Sequence, residues 1–85
     1  MPCVYVLYSQ RVSKFYIGST REETPVIRLQ AHNAGRTRST KAGRPWRVVY
    51  SEVLANYTDA RRRELFLKSG QGRKLIKEKL VIVLC

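Results

Sequence analysis

An α/β domain of the α+β kind, a small three-stranded antiparallel sheet with flanking helices in the order ββαβαα, is predicted by three features of the sequence. Short apolar, β-branched or aromatic runs alternate with turn residues. Two longer segments carry helical spacing between recognisable caps, and 44% of the 85 residues are hydrophobic, enough for a packed core. A chain of this length buries roughly 60 to 65% of the surface its unfolded form exposes, which is the scale of one domain spanning residues 1–85.

The elements follow in order. Cys3 to Ser9 is apolar, aromatic or β-branched almost throughout, as expected of a strand buried on both faces. Phe15 to Ser19 repeats the pattern after the short polar stretch Gln10 to Lys14, so the two runs read as an antiparallel hairpin with Tyr5 and Tyr16 on neighbouring strands. Thr24 before Pro25 signals a helix start, and Gly35 its end. At about 100° per residue, Ile27, Ala31 and Ala34 share the inward side of that helix while Arg28 and His32, one turn apart, sit at its border. Arg36 to Arg47 holds five basic residues, no acid, Gly43 and Pro45, and reads as an exposed loop. Trp46 to Leu54 is the third strand. A second helix is expected from an N-cap at Thr58 to about Ser69, stopped by a left-handed Gly70, and a third from Gly72 to about Leu80. Val81 to Cys85 fits a fourth short strand, a docked tail or a disordered end equally well.

Seventeen Lys and Arg against six Asp and Glu leave a net charge of +11 on this small surface, and a polyanion is the natural partner. Nucleic acid is favoured over an acidic membrane or a ribosomal surface. The cations expected to hold it are Arg36, Arg38, Lys41, Arg44 and Arg47 in the loop, with Arg61, Arg62, Lys68, Arg73 and Lys74 on the last two helices. Cys3 and Cys85 form no CxxC pair or Cys/His cluster, which excludes a zinc site and leaves them as free thiols. No stretch reaches the roughly 18 apolar residues that span a bilayer, and no signal segment leads the chain. The expected address is cytoplasmic, with no membrane partner.

Three positions invite a chemical reading. Glu64 is the only acid in mid-helix, among Arg61, Arg62, Arg63 and Lys68; a surface salt bridge is the plain alternative. Its spacing from Ala60 and Leu67, however, sets it beside the packed face, where a carboxylate suits a hard cation such as Mg²⁺. Arg28, at a core border, has a guanidinium that can grip a phosphate through two hydrogen bonds. His32, one turn later, reads as a general base, a phosphate contact or a surface histidine. Among the tyrosines, Tyr8 and Tyr50 read as core aromatics, whereas Gly18 after Tyr16-Ile17 leaves room for a close backbone approach beside a phenol.

Taken together, Cys3-Val4-Tyr5, Tyr16-Ile17-Gly18, Arg28-Leu29-Gln30-Ala31-His32 and Glu64 in the second long helix resemble the GIY-YIG nuclease domain over roughly residues 3 to 80. Arg44-Pro45-Trp46 and Lys68-Ser69-Gly70-Gln71-Gly72-Arg73 look like the small stand-alone bacterial members. The domain is also similar to the incision module of bacterial excision-repair nuclease and to the catalytic heads of phage homing endonucleases. The resemblance implies a metal-dependent endonuclease using Mg²⁺ or Mn²⁺, with DNA as the favoured nucleic acid, and through the repair members a place in DNA repair. Tyr5 and Tyr16 would lie beside the attacking water and Arg28 would stabilise the charged phosphate. His32 would assist proton transfer or position the water, and Glu64 would hold one divalent ion. Two departures stand out: Cys3 replaces the family's first glycine, and the late asparagine of larger members has no counterpart, since Asn33 and Asn56 both precede Glu64. The competing expectation is a nucleic-acid-binding module that kept the fold and the basic surface without efficient cleavage. A structural or ribosome-associated basic protein would give Arg28 and Glu64 no reason to converge.

Overall fold

The computed structural model describes residues 1–84, with side-chain placement for residues 1–78; Cys85 lies outside the described residues. Strands β1 (Cys3–Ser9), β2 (Lys14–Thr20) and β3 (Arg47–Val53) form one antiparallel sheet in the order β2-β1-β3. β1 is therefore central, which accounts for its apolar run. Ser13, at φ 53°, closes the hairpin and sets the register that places Tyr5 opposite Gly18 and Leu7 opposite Tyr16. On the other side the partner of β1 jumps from Tyr50 at Val6 to Val48 at Leu7, and Val49 is the extra residue of a bulge.

Alternation along the strands divides the core in two. Val4, Val6 and Ile17 face Leu67 and Ile76 from the helices α2 (Tyr57–Lys68) and α3 (Gly70–Leu84). Tyr5 and Leu7 on the opposite face meet Trp46, with Tyr16, Leu29 and Val48 packed against them. Each fully buried Val or Leu adds roughly 1.5 to 3 kcal/mol of hydrophobic stabilisation, so a sheet covered on both faces is how so short a chain holds its fold.

Several local expectations change. Helix α1 (Val26–Asn33) starts after Pro25, with no side-chain cap. Thr24 thus stands one residue too far out to reach the free N–H groups. Ile27 is 60% exposed and Ala34 is exposed, whereas Leu29 packs inward and His32 is buried. The inward stripe is rotated from the one that apolarity alone selected, because a polar side chain with buried partners can outcompete an isoleucine for the interior. Gly35 does end the helix, at φ +78°, and a Cβ there would meet Nη1 of Arg44 at 2.7 Å.

The basic segment is not an irregular loop. It contains a 3-10 helix, Arg38–Gly43, whose Thr40 and Gly43 are buried while its cations face outward. Trp46, just before β3, holds it down. Its indole Nε1 donates to the Thr40 carbonyl at 2.7 Å, and its ring occupies the space a Cβ on Gly43 would fill. The Asn33 side chain clamps the Trp46 backbone through N–H and C=O at 2.6 and 3.0 Å.

The cap of α2 is Asn56 rather than Thr58: its side chain accepts from the Asp59 N–H at 2.8 Å. Residue 56 is extended, as a cap must be, and Thr58 already lies inside the first turn. Gly70 is not in the left-handed region. The break between α2 and α3 is made by Ser69 in an extended conformation, its hydroxyl accepting from Gly72 N–H at 3.3 Å. α3 begins two residues earlier than expected and continues through residues 81–84, which replaces the strand or loose tail with helix.

Candidate active site

The hairpin register puts Tyr5 and Tyr16 diagonally on one face, and Gly18 lets the first of them lie flat across β2. A Cβ at position 18 would stand 2.6 Å from the Tyr5 hydroxyl. The space is used by a side chain, where the sequence suggested a backbone. His32 descends from α1 onto both rings, 4.7 Å from the Tyr16 centroid and 6.4 Å from that of Tyr5. Its Nε2 lies 3.5 Å from Tyr5 Oη and its Nδ1 is 2.8 Å from Thr40 Oγ1. Arg28, one turn before His32, is exposed, with Nε donating to the buried Thr20 hydroxyl at 3.5 Å. Among the described residues its guanidinium has no carboxylate partner.

Glu64 arrives from the opposite face of the sheet. Ala60, Glu64 and Leu67 form the buried stripe of α2, and the carboxylate reaches the rim of edge strand β2. Ser19 donates to its Oε1 at 2.5 Å, Arg61 to the same oxygen at 2.9 Å and Lys68 to Oε2 at 2.7 Å. Because β2 is an edge, groups from the two faces meet around it. One pocket of about 210 Å³ gathers Tyr5, Tyr16, Arg28, His32 and Glu64, with Arg61 at its wall. All five positions singled out in the sequence therefore share one cavity. A larger open groove of about 600 Å³ adjoins it through Tyr16 and is rimmed by Lys14, Lys68, Arg73 and Lys77.

The electrostatics separate the groups by role. Burial, reinforced by Tyr16, pushes the Tyr5 phenol far above its ordinary range, so it stays protonated and can donate. Burial and then the Arg28 charge press the His32 imidazole below its ordinary value, which keeps it neutral and able to accept a proton. Burial alone would raise the Glu64 carboxyl, but the hydrogen bonds of Lys68 and Ser19 and the charges of Lys68 and Arg61 outweigh it and hold the acid below its usual value. It is a carboxylate at neutral pH.

Of the cations expected to meet nucleic acid, Arg36, Arg38, Lys41, Arg47, Arg62, Arg73 and Lys74 are exposed. Arg44 is half-buried, its Nε donating to the Lys41 carbonyl at 2.9 Å, while Arg61 and Lys68 are engaged by Glu64. Sequence reasoning missed Ser19, Thr20 and Thr40, which hold Glu64, Arg28 and His32 respectively, and the groove cations Lys14 and Lys77. A hydroxyl in a strand or a basic loop carries no local sign of such a partner. Asn33 and Asn56, the only asparagines before Glu64, are spent on Trp46 and on the α2 cap.

No curated protein and no solved structure matches the chain significantly. A family model does: the GIY-YIG catalytic domain aligns with residues 1–77. With nearly the whole chain matched and the tyrosines, arginine, histidine and glutamate gathered in one pocket, the protein belongs to the GIY-YIG catalytic domain family, whose members are nucleases acting on nucleic acid.

Proposed function

We propose that the chain is a divalent-metal-dependent endonuclease hydrolysing phosphodiester bonds, with DNA as the favoured substrate and the 210 Å³ pocket as its active site. One observation carries the reading: an arginine with no carboxylate partner among the described residues, an ionised buried glutamate, a neutral histidine and two phenols converge on one cavity at a strand edge. Hydrolysis needs a deprotonated water, neutralised phosphate oxygens and help for the leaving oxygen.

Arg28 grips the non-bridging oxygens. Tyr5 and Tyr16 orient the attacking water, and His32 Nε2, directly or through the Tyr5 hydroxyl, takes its proton as the water oxygen bonds to phosphorus and the leaving oxygen departs with the electron pair of the broken phosphorus–oxygen bond. Glu64 is the group to hold Mg²⁺ or Mn²⁺. Among the described residues no cluster of three or more His, Cys, Asp or Glu exists, which suits an ion held by one carboxylate, waters and the substrate phosphate. When bound, the ion supplies positive charge to the phosphate and leaving oxygens. Arg61 and Lys68, each about half exposed, can turn from the carboxylate to a phosphate, which would leave Glu64 free to serve as the metal ligand.

The cations of the neighbouring groove and of the 3-10 segment then carry the flanking backbone. Incubating the protein with plasmid and with branched DNA, in Mg²⁺, Mn²⁺ or EDTA, tests the reading. Cleavage that stops in EDTA is the expected result. Metal-independent retention of DNA without cleavage would favour the second reading, a binding module, which draws on the full engagement of both Glu64 oxygens by Ser19, Arg61 and Lys68.

A further inference from the structure

Thr40 is almost fully buried in the 3-10 segment, 1% exposed, and its hydroxyl has one proton to share between two neighbours. The Thr37 carbonyl lies 3.2 Å away and His32 Nδ1 2.8 Å. A carbonyl only accepts, whereas a neutral imidazole nitrogen does either, so the choice of proton position fixes the tautomer of the ring. If the hydroxyl donates to Thr37, Nδ1 carries hydrogen and donates to Thr40, and Nε2 is left as an acceptor for the Tyr5 hydroxyl at 3.5 Å. All three contacts are then hydrogen bonds. In the reverse arrangement Thr40 donates to Nδ1 and Nε2–H points at Tyr5, so the hydroxyl bond to Thr37 is lost and the Tyr5 proton has no acceptor among the described residues. One hydrogen bond is worth about 1 kcal/mol, which favours the first arrangement severalfold.

A free histidine side chain prefers hydrogen on Nε2, so the site has to reverse that preference to leave Nε2 open. Thr40 is held rigidly for the task. Its carbonyl accepts from the Trp46 indole at 2.7 Å, and Ser9 Oγ donates to the Gly43 carbonyl at the end of the same segment.

We propose that Thr40 is a positioning residue of the hydrolytic site: by donating to the Thr37 carbonyl and accepting from His32 Nδ1–H, it locks the imidazole with its Nε2 lone pair facing Tyr5 and the pocket. Its catalytic consequence rests on His32 being the proton acceptor, while the tautomer itself does not.

The chain has a single histidine, so long-range proton–nitrogen NMR on ¹⁵N-labelled protein reads its tautomer without ambiguity. The wild type should show a protonated Nδ1 and an unprotonated Nε2. Thr40→Val keeps the volume but orphans Nδ1–H, and the ring should move toward the Nε2–H form; Thr40→Ser should restore the wild-type pattern. In cleavage, Thr40→Val should lower kcat roughly 10- to 100-fold, the usual loss when the group orienting a functional imidazole is removed, with KM little changed and Thr40→Ser near wild type. A wild-type Nε2–H tautomer, or a valine variant that folds and keeps the wild-type pattern, would overturn the assignment. A changed tautomer with unchanged kcat would overturn the positioning role. Wild-type protein that does not cleave would count against the nuclease reading, and the spectrum would still decide the tautomer. The wild-type measurement stands even if the valine variant does not fold.

Discussion

At the scale of single residues, Glu64 and Arg28 differ in what their removal should cost. Glu64→Gln keeps the shape and an acceptor for Ser19, and releases Arg61 and Lys68, half exposed, to water. Stability should fall by about 1 to 2 kcal/mol, while Mg²⁺-dependent cleavage collapses and metal-free DNA affinity stays equal or rises. Thermal midpoint, binding and cleavage on one preparation check this, and wild-type cleavage would remove Glu64 from the site. The carboxyl is held below its ordinary 4.5 when folded, so the unfolded chain takes up the proton first. Its contribution is full above that value and is lost as pH falls through the folded pKa. The glutamine variant should accordingly lose less stability than wild type on acidification below 4.5.

Arg28→Ala removes one of seventeen cations, but the pocket-lining one proposed to grip the reacting phosphate. Turnover should drop by roughly two orders of magnitude with KM changed by no more than about threefold. A raised KM at constant kcat would make it an ordinary backbone contact. His32, lowered from 6.5, stays neutral at pH values where a free histidine has begun to charge, so the acid limb of kcat/KM should lie below pH 6.5. A limb above that value would exclude His32 as the proton acceptor.

Among the elements, the start of α2 offers a direct comparison. Asn56→Ala removes the side-chain acceptor of the Asp59 N–H and should cost about 1 kcal/mol, whereas Thr58→Ala, inside the first turn, should be nearly neutral. Denaturant midpoints of the two variants measure the difference, and a larger loss in the Thr58 variant would move the cap back to Thr58. The hairpin was legible because its two apolar runs flank a polar turn and its register follows from the length of that turn. The inward face of α1 was not. Periodicity ranked Ile27 above His32, and only the partners on other elements, Tyr5 and Thr40, make the histidine the buried one.

Over the whole molecule, the 36–47 segment and the last two helices carry thirteen of the seventeen cations in the sequence. DNA binding should weaken steeply with salt, log K falling against log salt with a slope of about −0.9 per phosphate neutralised. A flat response measured by fluorescence anisotropy would remove the electrostatic basis for the partner.

What the sequence determined by itself is whatever depends on neighbours along the chain. The two-faced burial of β1, the pairing of Arg28 with His32 one turn apart, the place of Glu64 beside Ala60 and Leu67, and the excess of positive charge all follow from local spacing and composition. The tertiary structure alone decided that Glu64, reaching round from the far face of the sheet, would meet Ser19 and the pocket of the tyrosines, 45 residues away in the chain from its hydroxyl partner. It also decided that Thr40 would meet His32. The physical reason is that a polar side chain can be buried only where a partner satisfies it, and those partners are brought together around the edge strand β2 and by Trp46 folding the basic segment back, neither of which leaves a periodic mark on the residues involved.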